Sequence, residues 1–177
     1  MKILFFTYTF PPFNTIGAVR TGKTAKLLKE LGNDVRIISC SNQTLSQNFP
    51  LEIAEQNIQH TNWINVNSPI EFILGGKKKV ATKGYLPSSN HLPNWIQSLG
   101  YLYRHLVNFP DGQIGWYPFA MKAGNRLISS WLPDLIFASA SPFTTLLIAS
   151  ALSRKHNIPW IAELRDLWSD NHNFIGP

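Results

Sequence analysis

The chain has 177 residues but only one cysteine, little charge and no long hydrophobic run. The single cysteine, Cys40, excludes an internal disulfide, and its position at the end of an apolar stretch predicts a buried thiol. No stretch approaches the roughly 20 apolar residues that a membrane-spanning helix needs. The first apolar run is short, is interrupted by Pro11 and Pro12, and lacks a small-residue cleavage site, so it does not predict a signal peptide. These absences favour a cytoplasmic protein.

The composition is that of a globular domain with a basic surface. Apolar residues make up 44% and charged residues 15%, and the net charge is +6 from 16 Lys and Arg against 10 Asp and Glu. The length predicts one domain with a substantial core. Lys77, Lys78 and Lys79 lie near Trp95 and Tyr101, a mixture that leaves contact with the inner face of a membrane open. No signature of a nucleic-acid-binding motif is present, so we expect no nucleic-acid partner.

Strand-like apolar runs alternate with segments of helical periodicity along most of the chain. This order predicts βαβ units and an α/β fold with a Rossmann-like, doubly wound parallel sheet. The first strand should be central, between the second and the fourth. The predicted strands are residues 2–7, 35–39, 58–66, 135–138 and 158–164, and the last of these should be buried. The predicted helices are residues 19–31, 95–107, 116–131 and 146–156, with a short helix at 69–74 and a loop at 77–93.

Small polar side chains follow the fourth predicted strand. Ligands bind at the carboxyl ends of the strands in an open parallel sheet, and residues 139–142 lie at such an end. Ser139 and Ser141 are therefore candidate substrate-binding residues. The alternative for Ser141 is that it caps the helix that follows.

Charged side chains follow the fifth predicted strand, at the same edge of the sheet. Asp166 is the candidate catalytic residue, because a carboxylate can accept a hydrogen bond from a substrate hydroxyl or remove its proton. Arg165 is a candidate substrate-binding residue, since a guanidinium group can hold a phosphate. The alternative is a structural ion pair in which Arg165 contacts Glu163 or Asp166.

The segment from Gly17 to Thr24 matches the phosphate-binding loop of nucleotide hydrolases, G-x-x-x-x-G-K-[ST]. In those proteins the glycine-rich loop leaves a strand directly and opens a helix. Here residues 8–16 separate the first strand from Gly17, and Gly22 and Lys23 are predicted to lie inside a helix. We therefore expect a decoy motif. The five histidines show no metal-ligand spacing, so no metal site is expected.

Three segments together resemble the N-terminal domain of glycosyltransferase family 4, which has the GT-B fold, and within it the type that builds bacterial surface polysaccharides. The segments are ILFFTYTFPP with IGAVRTGKTAKLLKELGNDVRIIS, then PDGQIGWYPFA, and finally PDLIFASASPFTTLLIASALSRKHNIPW followed by RDLW. Residues 41–109 match only loosely. The resemblance implies transfer of a sugar from a nucleotide-diphosphate sugar to a carbohydrate or lipid-linked acceptor hydroxyl, with retention of configuration. It implies no metal and no cofactor besides the nucleotide-sugar substrate.

The resemblance also adds candidate residues at the start of the chain. In the family, small residues after the Pro-Pro loop let the backbone approach the phosphates of the donor, and Ile16 and Gly17 stand in that place. The helix N-terminus would add N–H groups and positive dipole, and Arg20 would extend from its first turn. The alternative is that Gly17 only allows the chain to enter the helix tightly.

The resemblance implies that residues 1–177 are the acceptor-side domain of a two-domain enzyme. The E-x7-E carboxylate pair of the family's donor domain occurs nowhere in this sequence. The expectation is therefore that the C-terminal donor domain is missing and that this chain alone is inactive. The rival interpretation is a stand-alone α/β binding module without catalysis.

Overall fold

The computed structural model describes residues 1–41, 43, 45–68, 98, 102–103 and 107–165. Three predictions lie wholly or largely outside these residues: the short helix at 69–74, the lysine-rich loop at 77–93 and the helix at 95–107. The described helices include none that is long and apolar enough to cross a membrane.

The described residues form a five-stranded, all-parallel sheet in the order β3-β2-β1-β4-β5. This confirms the predicted fold and the central position of the first strand. The strands are β1 (Lys2–Thr7), β2 (Asp34–Cys40), β3 (Ile58–Thr61), β4 (Leu135–Ser139) and β5 (Trp160–Glu163). The helices are α1 (Ile16–Glu30), α2 (Tyr117–Trp131) and α3 (Thr144–His156), and short 3₁₀ turns lie at Glu55–Asn57 and Ile114–Trp116.

The sheet has an apolar core on each face, because alternate residues of its inner strands point to opposite sides. The core on the side of α1 contains Ile3, Phe5, Phe10, Ala25, Val35, Ile37 and Ile53. The core on the side of α2 and α3 includes Leu4, Phe6, Ile38, Trp116, Ile136, Ile148 and Leu152. Each such fully buried large side chain contributes about 1.5–3 kcal/mol of hydrophobic stabilisation. These cores fix α1 and the first turn of α3 above the central strands.

Two helices begin earlier than their periodicity predicts. Helix α1 begins at Ile16 rather than residue 19, because Thr15 is in an extended conformation and its hydroxyl accepts a hydrogen bond from the Ala18 N–H at 3.0 Å. Helix α3 begins at Thr144 rather than residue 146. In both helices the first turn is capped by a polar contact, which apolar periodicity cannot report.

The third and fifth strands also differ from the prediction. Strand β3 ends at Thr61 rather than residue 66. The expectation that the last strand is buried was wrong: Ile161 is 49% exposed, Ala162 on the opposite face is exposed too, and β5 lies at one edge of the described sheet. An apolar run records that a strand packs against something, but not whether both of its faces are covered.

Candidate functional site

The sheet has a topological switch point between β1 and β4. The chain proceeds from β1 to β2 and β3 on one side, and from β4 to β5 on the other. Ligands of doubly wound folds bind in the crevice that such a reversal opens at the carboxyl ends of the strands. Residues 8–15, the N-terminus of α1, residues 140–143 and the end of β5 all lie at this edge.

A row of polar side chains crosses the sheet at this edge. In register order it is His60, Ser39, Thr7, Ser139 and Glu163, one residue from each strand. The first four share the α1-facing side of the sheet, because each lies two positions after an apolar residue of that core. Glu163 shares it because the residue two positions before it, Ile161, pairs in register with Phe137. We call this set the polar row. It places Ser139 and Glu163 next to each other beneath the start of α1.

The far end of the polar row is neutral rather than charged. The Ser39 hydroxyl lies 2.8 Å from Nδ1 of His60, and burial holds the pKa of His60 below its ordinary value, against a smaller opposing effect of Glu55. The neutral ring can accept a hydrogen bond from Ser39 at Nδ1. This end of the row therefore brings no fixed charge to the sheet edge.

The N-terminus of α1 retains backbone donors. Thr15 satisfies two of the first N–H groups: its hydroxyl accepts from Ala18 and its carbonyl oxygen accepts from Val19, each at 3.0 Å. The N–H groups of Ile16 and Gly17 have no intrahelical acceptor. The first turn contains no acidic residue, so nothing in it offsets the positive end of the helix dipole.

The guanidinium of Arg165 lies directly against this helix start. A Cβ atom added to Gly17 would lie 2.9 Å from Nη1 of Arg165 and 3.0 Å from Oγ1 of Thr9. The first distance is shorter than real Cβ contacts and the second is tight, so Arg165 could hold this position only because Gly17 has no side chain. A cation from the end of β5 therefore meets the positive end of α1.

A second arginine, Arg20, is paired across the same site. Its Nε donates to Oε1 of Glu163 at 3.1 Å, and its Nη2 donates to the same oxygen. The other oxygen, Oε2, is buried and has no hydrogen-bond partner among the described residues. The other ion pairs of the described residues join Lys23 and Lys26 to Glu52, so Arg165 has no carboxylate partner among them. The site therefore contains two guanidinium groups and a helix N-terminus but only one carboxylate, which is paired with Arg20, and this balance of charge attracts an anion.

The N-terminus of α3 is already occupied. The Thr144 N–H and hydroxyl donate to the Asp111 carboxylate at 2.9 and 2.7 Å, and the Gln113 N–H donates to the same carboxylate at 3.0 Å. The alternative in which Ser141 caps this helix is therefore not what the structure shows: Ser141 is exposed, and Asp111 is the cap. The capping role of Asp111 is not evident from the sequence, because Thr144 lies 33 positions away and the Pro-Asp-Gly turn is a sufficient reason for an aspartate here.

The structure brings some of the predicted site residues together and separates others. Gly17, Arg20 and Arg165 converge, and Ser139 is buried in the polar row beneath them. The side chain of Ile16 is 85% exposed. Asp166 lies outside the described residues, so its catalytic role stays a prediction. The partner that sequence analysis did not link to α1 is Glu163, which lies 143 positions from Arg20.

The decoy motif is wound into α1, as predicted. Gly22 is a helix-interior residue where an added Cβ would lie 2.8 Å from Cγ of Pro11, so this glycine serves the packing of the helix on the first loop. Nζ of Lys23 lies 2.6 Å from Oε1 of Glu52, and this contact is the main cause of a lowered pKa of Glu52. The backbone cradle of a nucleotide hydrolase is not formed.

The remaining reactive side chains of this edge are structural. Burial raises the pKa of the Cys40 thiol to about 12, and burial also raises the pKa of Tyr8. The predicted burial of Cys40 is confirmed. Trp116 is fully buried and its Nε1 donates to Oγ1 of Thr61 at 2.7 Å, so it is a core residue. The described residues include no cluster of three or more His, Cys, Asp or Glu that could bind a metal ion.

Comparison with known proteins gives distant structural likenesses and no family. No family model matches the chain, and no curated protein matches it. Among solved structures, the chain is similar to the C-terminal domain of a hydrogenase from Pyrococcus furiosus, with a TM-score of 0.46 and 15% identity over 92% of this chain and 90% of that one. It is also similar to a protein from Listeria monocytogenes provisionally assigned as a UDP-N-acetylglucosamine 2-epimerase, with a TM-score of 0.43 and 10% identity over 91% of this chain. The match spans 30% of the length of that protein. Neither likeness is near enough to carry an argument, so both the fold and the function have to rest on the residues of this chain.

Proposed function

We propose that this chain is the acceptor-side, N-terminal domain of a retaining glycosyltransferase of GT-B architecture. The reaction is transfer of a sugar from a nucleotide-diphosphate sugar to an acceptor hydroxyl in polysaccharide or glycolipid synthesis. The observation that carries the proposal is the Arg165 guanidinium held against Gly17 at the switch point of the sheet. The motifs at both ends of the chain support the same reading, because their resemblance to glycosyltransferase family 4 includes both residues.

The proposed role of Arg165 follows from the chemistry of the leaving group. When the bond between sugar and diphosphate breaks, negative charge develops on the phosphate oxygens. A guanidinium and the N–H groups of Ile16 and Gly17, fixed before the reaction, stabilise that charge without reorganisation. In this proposal the positive charge at the site comes from arginine and the helix dipole.

The acceptor side is proposed to lie along the ends of β4 and β5. Ser141 offers an exposed hydroxyl group just after β4, and the buried Ser139 lies beneath it at the end of the strand. Asp166, which follows Arg165 in the sequence, would accept the proton of the acceptor hydroxyl or hold it by a hydrogen bond. A second domain would hold the nucleoside and sugar of the donor, so the complete site would require both domains.

Binding tests the anion site directly. We expect UDP and UDP-glucose to shift the Gly17 and Arg165 signals of the ¹⁵N-labelled chain in a saturable manner, with weak affinity. Arg165→Gln should abolish these shifts. Arg126→Gln is the matched control, because Arg126 is exposed and lies in α2, away from the switch point. Absence of any saturable shift at Gly17 would contradict the proposal.

Turnover tests the catalytic part. With a donor domain supplied, Asp166→Ala should lower sugar transfer by roughly 10²–10⁴-fold while the free energy of unfolding changes little. Asp134→Ala is the control, because Asp134 accepts the Lys2 N–H at 2.7 Å at the opposite edge of the sheet. Normal turnover of Asp166→Ala would remove Asp166 from the site. The rival reading, a binding module without chemistry, predicts UDP binding but no transfer in any assembly.

A further inference from the structure

The ion pair between Arg20 and Glu163 connects the two elements that form the anion site. Arg20 lies one turn after Gly17, so both residues are on the same face of α1. Glu163 ends β5 and is followed two positions later by Arg165. The pair therefore ties together the helix that carries Gly17 and the strand that leads to Arg165.

Arg165 needs such a tie, because its position is electrostatically unfavourable. A cation at the N-terminus of a helix opposes the helix dipole, and Arg165 has no carboxylate partner among the described residues. The contact has to be held by the backbone that leads to it. That backbone is fixed by the bond from the Ala140 N–H to the Glu163 carbonyl oxygen, at 2.9 Å, and by the Arg20–Glu163 ion pair.

We propose that Arg20 and Glu163 are positioning residues that hold Arg165 over Gly17, and that Arg20 is not itself a ligand of the bound anion. The inference rests on the proposed function, since it concerns the same anion site. Two N–H groups of Arg20 are directed at Glu163 Oε1, so the charge of Arg20 is already balanced by a protein carboxylate. Arg165 is the cation that meets the phosphate.

The sign of one substitution separates this proposal from simple electrostatics. Glu163→Gln removes a negative charge beside an anion site, so a purely electrostatic role predicts tighter binding of inorganic pyrophosphate. A direct role of Arg20 as ligand also predicts tighter binding, because the substitution releases its guanidinium. Positioning predicts the reverse: the affinity should fall by about fivefold, within the usual range of couplings between contacting residues. The measurement is an NMR titration that follows the Gly17 N–H and the Arg165 Nε–H.

A double-mutant cycle adds a second, independent readout. If the two residues act as one unit, Arg20→Gln, Glu163→Gln and the double variant should weaken pyrophosphate binding to a similar extent. If Arg20 were a ligand, its substitution would still weaken binding in the Glu163→Gln background. Lys23→Gln and Glu52→Gln are matched controls, because they remove one positive or one negative charge from the other ion-paired group of α1, in which Lys23 and Lys26 contact Glu52. Both controls should bind pyrophosphate as the unaltered chain does.

The outcomes distinguish the inference from the function on which it rests. If the unaltered chain does not bind pyrophosphate at Gly17, both are overturned. If it binds, Arg165→Gln abolishes binding and Glu163→Gln leaves it unchanged or tighter, the positioning role is wrong and the anion site stands. If Glu163→Gln does not fold, Arg20→Lys replaces it, since this variant keeps the charge but loses the planar fork. Positioning then predicts weaker binding, and an unchanged affinity contradicts it.

Discussion

Helices α1 and α3 both begin beside the switch point of the sheet, but charged groups of opposite sign lie at their N-termini. At α3 the chain supplies its own anion, the Asp111 carboxylate, which accepts hydrogen bonds from Thr144. At α1 the cap is the neutral hydroxyl of Thr15, and the charged group that approaches is the cation of Arg165. The positive end of the α3 dipole is therefore balanced by a carboxylate of the chain, whereas the positive end of the α1 dipole is not.

This difference in charge implies a structural role for the N-terminus of α3 and a binding role for the N-terminus of α1. A carboxylate at a helix N-terminus stabilises the fold permanently, because it is part of the chain. The N-terminus of α1 is capped by Thr15, but it also meets the Arg165 guanidinium, so an anion bound between them would stabilise it further. In the proposed function, an anionic ligand in the crevice between β1 and β4 binds at α1 and not at α3, because the N-terminus of α3 already holds the Asp111 carboxylate.

The largest effect is expected when the Asp111 carboxylate is removed from the N-terminus of α3. Asp111→Ala should lower the free energy of unfolding by about 2 kcal/mol, because it removes the cap of α3 and both bonds to Thr144. Urea denaturation measures this loss. The variant should also make the two helix ends alike, so that pyrophosphate now shifts the Thr144 amide signal as well.

Asp111→Asn is the control, because it keeps one oxygen acceptor and should lose about half as much stability. Loss of stability in Asp111→Ala without a new pyrophosphate site would show that Asp111 caps α3 but does not decide where the anion binds. A free energy of unfolding equal to that of the unaltered chain would contradict the capping role itself.

The next largest effect is expected from a substitution that fills the space at the N-terminus of α1. Gly17→Ala should lower pyrophosphate affinity by about tenfold, equivalent to about 1.4 kcal/mol, because its Cβ would occupy the space of the Arg165 guanidinium. The free energy of unfolding should change by less than about 1 kcal/mol, because alanine favours the helix and Arg165 can move aside. Titration and urea denaturation of the same sample measure both quantities.

Gly22→Ala is the matched control for that substitution, because it adds the same methyl group to the same helix against Pro11 instead of Arg165. It should alter stability without altering pyrophosphate affinity. A loss of affinity in Gly22→Ala equal to that in Gly17→Ala would mean that the helix as a whole shifted, and the specific role of Gly17 would fail.

Much of this fold could be predicted from the sequence, because it depends on local pattern. The apolar runs of β1, β2 and β4 placed the sheet order correctly, and the positions of Gly22 and Lys23 inside a helix followed from periodicity. The start of α1 was missed by three residues, because a capping threonine followed by an exposed isoleucine resembles a loop. Local pattern thus identifies elements well and their ends less well.

The candidate site could be predicted only in part, because its contacts are distant in sequence. The sequence indicates Arg165 and Gly17 as candidate site residues for separate reasons, but no local pattern indicates that the two residues are in contact. The polar row does leave a signal: along the α1-facing side of each inner strand, apolar residues give way to a polar one at the end, as in Ile3, Phe5 and Thr7. Asp111 and Glu163 act through partners that only the fold brings near.

A smaller effect should appear at the far end of the polar row. Partial burial keeps the pKa of His60 below its ordinary value of about 6.5, so the unfolded chain binds a proton at a higher pH than the folded one. The free energy of unfolding should therefore fall as the pH drops from about 6.5 through the lower pKa of the folded state. His60→Gln should lose this part of the pH dependence, whereas Gly17→Ala should retain it. The same slope in His60→Gln would assign it to other groups.

The smallest expected effect concerns the contact between Lys23 of α1 and Glu52. Lys23 is the lysine of the decoy motif. It lies in the middle of α1, about two turns after Gly17, and contacts Glu52. Lys23→Ala should leave UDP and pyrophosphate binding unchanged, and the unaltered chain should hydrolyse neither ATP nor GTP. Calorimetry with magnesium and ATP, beside the Arg165→Gln variant, measures the contrast. Micromolar ATP affinity that disappears in Lys23→Ala and persists in Arg165→Gln would move the anion site from the first turn of α1 to its middle and favour a nucleotide hydrolase.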